Sequence, residues 1–413
     1  MTKSTKIFFT VSILLITSVI CFPKNIPHFI TVAKDGSGDF KTITEALDSL
    51  PVFNYERRII FIKNGKYEEK IRIDQDYITL RGEDREKTII RFCQLRSDWD
   101  KNKDSIGPAV ININGDDIII ENLTAENTQP EIGPHAFVVY GKGTRTIIQN
   151  CNMISKGADT VSLWDYKTGM YYHSNCYFEG AVDFVCPRGW CFIKDSEFYE
   201  VKQTAAVWHA GGYDINQKFV IKNSSFDGVE GFKLGRHHYE AQFFFIDCRF
   251  SKNMADVPIY HVTYEDTTRN QPCNWGERYF FQNCSHGGAN YRWLEDNLFS
   301  VNGFIEPNNI TPAWTFNFLW DPEFSSEPKV IKYKLGDGQL YLTFNEPVSV
   351  IGKPIIYDSE NRFEYTSGGG QKTLNFECKP GIENVCLEKL TIVNEGKISG
   401  TIASVKERNC FNQ

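Results

Sequence analysis

Residues Ile147–Met153 read I-I-Q-N-C-N-M, and the phrase returns down the chain. It recurs as Y-H-S-N-C-Y-F at Tyr172–Phe178, F-I-K-D-S-E-F at Phe192–Phe198, V-I-K-N-S-S-F at Val220–Phe226 and F-F-I-D-C-R-F at Phe244–Phe250. A weaker copy, I-I-E-N-L-T-A, precedes them at Ile119–Ala125, and F-F-Q-N-C-S follows at Phe280–Ser285. Each copy is an apolar run closed by Asn or Asp. The steps from Asn150 to Asn175, Asp195, Asn223 and Asp247 are 25, 20, 28 and 24 residues. Periods of this size belong to solenoids. Short runs of β-branched and aromatic residues between polar turns make the repeating unit a set of strands. The reading is an all-β fold, a parallel β-helix in which no coil buries its apolar face without its neighbours.

The same register puts Cys151, Cys176, Cys248 and Cys284 at equivalent points of their coils, which marks them as buried free thiols in an internal ladder. Cys378 and Cys386 flank a Pro-Gly turn and are expected to pair. No C-x-x-C pair or His/Cys cluster has ligand spacing, so no metal is expected. Ahead of the coils, Gly38–Leu50 carries Phe40, Ile43, Ala46, Leu47 and Leu50 at helical spacing, a helix suited to capping the solenoid. Strands are expected at Arg58–Ile62 and Tyr77–Leu80. After the coils, Tyr291–Pro322 is rich in Trp, Asn and Pro and reads as an irregular covering segment. From residue 327 to 413, alternating runs such as Q-L-Y-L-T-F and K-T-L-N-F-E predict a small C-terminal β-sandwich of Ig-like type.

The totals fit such a body. The 413 residues are 41% hydrophobic and 14% aromatic, ample for a large core. A net charge of −7 leaves no footprint for nucleic acid. Lys3 and Lys6 ahead of the apolar run Phe8–Ile20 read as an export signal over residues 1–21, and the run is too short for a membrane span. Cys21 is a candidate lipid-anchor residue. The protein is expected to be exported (secreted, periplasmic or on the outer surface) and monomeric.

Two aspartates stand out. Asp159 in G-A-D-T and Asp183 in A-V-D-F each lie among small and apolar neighbours, where a carboxylate has a perturbed pKa and usually a task. Two dozen residues apart in a chain of short strands, they stack on adjacent layers of one surface, as a nucleophile and a proton donor would. No G-x-S-x-G occurs, so a serine elbow is excluded. Asp116-Asp117 precedes a strand and reads as a turn.

From Phe29 to Glu323 the chain resembles the pectin methylesterases, or pectinesterases, and motifs match in order. I-T-V-A-K-D-G-S-G-D-F-K-T-I-T-E-A-L is similar to the family's opening strand and helix. Gly65-Lys66-Tyr67-Glu68-Glu69 stands for G-x-Y-x-E, G-A-D-T at 157–160 for Q-D-T, G-A-V-D-F at 180–184 for G-x-V-D-F, and Leu234-Gly235-Arg236 for L-G-R. The resemblance implies a right-handed parallel β-helix over residues 28–323 that removes methyl groups from pectin without metal or organic cofactor. It also implies roles. Asp183 would be the nucleophile on the methyl-ester carbonyl. Asp159 would be the general acid and then base. Arg236 would orient Asp183 and hold it ionised.

The chain departs from the family at the glutamines that support the oxyanion. Ala158 stands at one place and His135, a candidate oxyanion donor, at the other; one lost donor costs about 100- to 1000-fold in turnover. The aromatic after L-G-R-P is replaced in L-G-R-H-H by His237 and His238. Trp164, Trp190, Trp208 and His209 are candidate sugar-stacking residues, His238 joins them as a substrate-binding candidate, and Arg188 is a candidate partner for a substrate carboxylate. Two alternatives stand beside the esterase. One is a pectin-binding β-helix that has lost catalysis with its glutamines. The other is a β-helix enzyme acting on another esterified polysaccharide.

Overall fold

The computed structural model describes residues 29–400 apart from 56, 302–304, 324–329, 345–347, 352, 359, 369–371, 388–389 and 393–396. The expected export signal and Cys21 lie outside the described residues. Within them the chain winds as a right-handed parallel β-helix with three walls. One wall has ten parallel strands, from Phe29–Val32 to Tyr279–Gln282. A second has nine, from Gly65–Tyr67 to Ser285–His286. The third comes in two runs. Ile71–Ile73, Ile111–Ile113, Val139–Gly141 and Val161–Leu163 form the first; Ala205–Trp208, Lys233–His237 and Tyr260–His261 form the second. Single bridges from Val161 to Val185 and from Val185 to Val207 join the two runs.

The repeated Asn or Asp explains why each coil turns where it does. Asn122, Asn150, Asn175, Asp195, Asn223, Asp247 and Asn283 all take left-handed backbone, with φ between 47° and 56°. Asn and Asp tolerate this region better than other side-chain-bearing residues. Their side chains also bond from coil to coil. Asn150 Nδ2 donates to Asn122 Oδ1 at 2.7 Å, Asn175 Nδ2 to Asn150 Oδ1 at 2.9 Å, and Asn283 Nδ2 to Asp247 Oδ1 at 2.6 Å. One residue on, the thiols of Cys151, Cys176, Cys248 and Cys284 each face a carbonyl of the preceding coil, as in Cys176 Sγ to Ile148 O at 3.4 Å. Three residues past the Asn or Asp, the interior carries a stack of rings. Phe178, Phe198, Phe226 and Phe250 follow one another at centroid spacings of 5.3, 4.3 and 5.3 Å.

The open end is closed by the helix Ile43–Asp48, shorter than its periodic stretch. Thr42 and Glu45 form a reciprocal cap, and the Glu69 carboxylate accepts from the Ile43 and Thr44 amides. A carboxylate at a helix N-terminus is favourable. The covering segment lays Leu298, Ile310 and Phe316 on the outer face of the ten-stranded wall. A six-residue helix, Arg96–Lys101, interrupts the coils; nothing in the periodicity predicts it.

Residues 330–400 form a six-stranded antiparallel sheet and a two-stranded one, Val348–Ile351 with Lys397–Gly400, around one apolar cluster. This is the small β-sandwich. The expected Cys378–Cys386 bridge is not there, and both thiols are free. The Cys378 amide is held in its strand by Gly338 O at 2.8 Å, and the Cys386 amide sits on the Asp358 carboxylate at 3.3 Å.

If the Asn ladder sets the coil turns, Asn150→Val should destabilise the protein by about 1–3 kcal/mol, with Asn150→Gly recovering the backbone part of that loss. Urea unfolding of the three proteins checks this; equal loss in Val and Gly variants would leave the side-chain bonds as the whole effect.

Candidate active site

The third wall carries the two aspartates. Val161 and Val185 pair across neighbouring coils, and each aspartate stands two residues ahead of its valine, so Asp159 and Asp183 occupy the same register. The backbone repeats the relation: Asp159 N–H donates to Val182 O and Asp183 N–H to Ala205 O. Both have left-handed φ, 60° and 58°, as does Val182 at 48°. For a β-branched residue that conformation costs of order 1–3 kcal/mol and persists only where neighbours impose it. Here Val182 N–H donates to Thr204 Oγ1 at 3.1 Å, and Thr204 Oγ1 donates to Glu200 Oε1 at 3.2 Å. Glu200 is fully buried, pairs with Gly180 and Gly228 on either side, and is pushed up to about 9 by burial. It is a carboxylic acid at neutral pH, bracing the turn that presents Asp183. The repeat register could have revealed it, as a Glu where adjoining coils have Gly.

Arg236 lies two coils beyond Asp183 on Lys233–His237 and reaches back to it. Its Nε donates to Asp183 Oδ1 at 2.8 Å and its Nη2 to Oδ2 at 2.8 Å, a two-pronged bond. Both aspartates are under 10% exposed, and burial raises the pKa of each. At Asp183 the Arg236 bond opposes the rise. Asp159 has no hydrogen-bond donor on its carboxyl among the described residues. Burial first, and then the Asp183 charge, push it up to about 8. The pair is therefore asymmetric: Asp159 lacks the Arg236 bond that opposes the rise at Asp183.

His135 bridges to Ala158 and brings its Nε2 to 3.7 Å from Asp159 Oδ2, with its side chain half exposed. Burial and the Arg96 charge lower its pKa. The Ala158 amide donates to Pro134 O of the preceding coil at 2.9 Å, so it is already bonded. Arg188 stacks its guanidinium on the Trp164 ring at 4.3 Å and lies 5.6 Å from the Trp208 ring. Trp208 is buried, its Nε1 donating to His238 Nδ1 at 2.8 Å. Burial, with Arg236 second, lowers His238 to about 4, which keeps Nδ1 an acceptor.

The structure brings Asp159, Asp183, Arg236, His135, Trp164, Arg188, Trp208 and His238 to one surface. Burial takes Trp208 out of the sugar-stacking role, and two further stacking candidates lie away from this surface. Trp190 packs under the covering segment on the ten-stranded wall, its Nε1 bonded to Asn216 O. His209 is wholly buried, with Nε2 on Gly189 O at 2.8 Å. Arg96, absent from the expectations, heads the short helix. Its amide donates to His135 O at 2.9 Å, its guanidinium lies 5.8 Å from the Phe137 ring, and its charge lowers the pKa of Asp159. No sequence signal marks it, since the helix start lacks a side-chain cap. Among the described residues no group of three His, Cys, Asp or Glu side chains converges as a metal site. No described helix is long and apolar enough to cross a membrane.

A model of the pectinesterase family matches residues 29–240. Pectinesterase 31 of Arabidopsis thaliana is 30% identical over 167 residues, covering 38% of this chain and 51% of that protein. A pectinesterase of Petunia integrifolia is 34% identical over 161 residues, 38% of this chain and 41% of its own. The matches thus span about half the length of these relatives or less. Solved structures share the fold. The pectin methylesterase from carrot superposes with a TM-score of 0.57 at 19% identity, covering 70% of this chain and 93% of its own. That from Erwinia chrysanthemi gives 0.56 at 19%, covering 71% and 97%. A pectin methylesterase in complex with a hexasaccharide gives 0.57 at 20%, covering 72% and 98%.

The raised pKa of Asp159 has a consequence for stability. Between about pH 4, where the unfolded carboxyl ionises, and about pH 8, the folded protein holds a proton that the unfolded chain releases. Stability contributed by this group is complete below the lower value and falls as pH rises to the upper one. Asp159→Asn should flatten that decline, read as urea midpoints from pH 5 to 8; an unchanged slope would place the proton elsewhere.

Proposed function

The chain belongs to the pectinesterase family, and from that membership and its paired carboxylates we propose that it hydrolyses methyl esters of galacturonate units in pectin, releasing methanol. The observation that carries this reading is the two-pronged Arg236 bond to Asp183 beside a protonated Asp159 in the same register one coil away. A charged Asp183 oxygen attacks the ester carbonyl carbon. As the tetrahedral intermediate collapses, the methoxy oxygen leaves with the Asp159 proton, and the acyl group remains on Asp183 as an anhydride. Water then attacks that carbonyl and gives its proton to Asp159, while the C–O bond to Asp183 breaks. Free acid and the starting protonation state result. Arg236 keeps Asp183 ionised and aimed throughout.

The neutral His135 ring donates to the oxyanion in place of a glutamine. Arg188, fixed on the Trp164 face, meets a carboxylate of a neighbouring sugar, and Trp164 offers its rim to a ring face. Trp208, being buried, supports this frame through His238 instead of stacking on sugar. The proposal includes export, supported by the Lys3 and Lys6 charges ahead of the apolar run, with residues 28–323 as the catalytic unit and 327–413 as a separate module. A second reading, pectin binding without turnover, draws on one observation: Ala158 offers no side-chain donor and its amide is already bonded.

Purified protein incubated with highly methylated pectin should release methanol without unsaturated products or chain shortening. Asp183→Asn should lower that rate at least about 1000-fold, and His135→Ala about 100-fold. Bound pectin with no methanol from the wild type would favour the second reading. An active Asp183→Asn would remove the mechanism.

A further inference from the structure

The loops that leave the third wall beyond the site end in exposed aromatic residues that the chemistry above does not use. One loop starts at Trp164 and carries Tyr166, which is 52% exposed; the other starts at Trp208 and carries Tyr213, 58% exposed. An exposed ring is unremarkable alone, but these two meet edge to face, with centroids 6.0 Å apart. The Lys167 ammonium lies 5.8 Å from both centroids.

The arrangement is braced from beneath. Gln217 is completely buried, and its side-chain amide bonds both loops at once. Its Nε2 donates to Tyr166 O at 2.8 Å, and its Oε1 accepts from Tyr213 N–H at 3.2 Å. A buried amide satisfied by two separate loops fixes their spacing and lowers the ordering cost of binding. The acidic residues of the two loops turn onto their own backbones. Asp165 Oδ1 accepts from the Lys167 and Thr168 amides, and Asp214 Oδ1 from the Asn216 amide. Lys167 has no carboxylate partner among the described residues, and its charge lies beside two rings that are each more than half exposed.

Ring faces bind the C–H faces of pyranoses, and an ammonium beside them selects an anionic sugar. We propose that Tyr166, Tyr213 and Lys167 form a distal subsite for a galacturonate unit bearing a free carboxylate, on the same polymer whose ester lies at Asp183. The subsite lengthens the bound chain and favours substrate that already carries de-esterified units. It rests on the pectin reading above. It adds to the Arg188 contact a second cation, reached along the same two loops that begin at Trp164 and Trp208.

The test uses the full protein and two variants, Tyr166→Ala/Tyr213→Ala and Lys167→Gln, each checked for unchanged thermal unfolding. Binding of unesterified polygalacturonate is measured by calorimetry at low and high salt. Methanol release is measured from partly esterified long pectin and from a methyl-esterified galacturonate monomer. Both variants should bind the polymer about 3- to 10-fold more weakly, and Lys167→Gln should also lose part of the salt dependence. KM on long pectin should rise by a similar factor, with kcat and monomer hydrolysis unchanged. Wild-type affinity in both variants, no polymer binding by the wild type, or an equal loss on monomer and polymer would overturn the subsite. Weakened polymer binding in the variants with no methanol from any protein would retain the subsite and remove the esterase.

Discussion

Parallel pairing from coil to coil is the constraint from which the site follows. A parallel ladder holds neighbouring strands about 4.8 Å apart, and a residue's register is copied into the next turn. Because Val161 pairs with Val185, the residues two places before them are forced into the same alignment. Two aspartates there cannot both be ionised cheaply in a buried setting, since burial and mutual repulsion act in the same direction. The third wall supplies the asymmetry. Arg236 comes from two coils further on and, of the two aspartates, hydrogen-bonds Asp183. The fold thus places two chemically identical side chains in unequal electrostatic surroundings.

That division is maintained by groups far from any substrate. The Asp183 turn is strained at Val182 and held through Thr204 by the protonated Glu200. Gly228 lets its coil approach Glu200, since a Cβ there would lie 2.5 Å from Glu200 O; on the other side a Cβ at Gly180 would meet Thr160 Oγ1 at 2.3 Å. The coil turns rest on the Asn ladder, whose side chains bond from coil to coil as the backbone does. Strain at the site is therefore opposed by regularity elsewhere, the usual distribution at a functional turn.

Much of this was legible in the sequence because the repeat is punctuated by residues whose conformational preferences are specific. Asn and Asp before Cys or Ser named the turn, and the register then aligned Asp159 with Asp183. Where a signal failed, the cause was physical. Trp190 and His209 read as groove residues because strands buried on both faces lose the alternation that tells inside from outside. Trp190 faces a covering segment and His209 the interior. Arg96 was invisible because its helix has six residues and no side-chain cap. The Cys378–Cys386 pairing failed because sequence proximity to a turn says nothing of thiol direction.

The central claim is that at neutral pH the proton of the aspartate pair sits on Asp159. Infrared difference spectroscopy of protonated carboxyl groups tests it most directly, comparing wild type with Asp159→Asn and Asp183→Asn. The account predicts, beside a band from buried Glu200 common to all three proteins, a protonated-carboxyl band at pH 6 that fades with a midpoint near 8, is absent in Asp159→Asn and persists in Asp183→Asn. A band lost in Asp183→Asn and kept in Asp159→Asn would reverse the assignment and contradict the account.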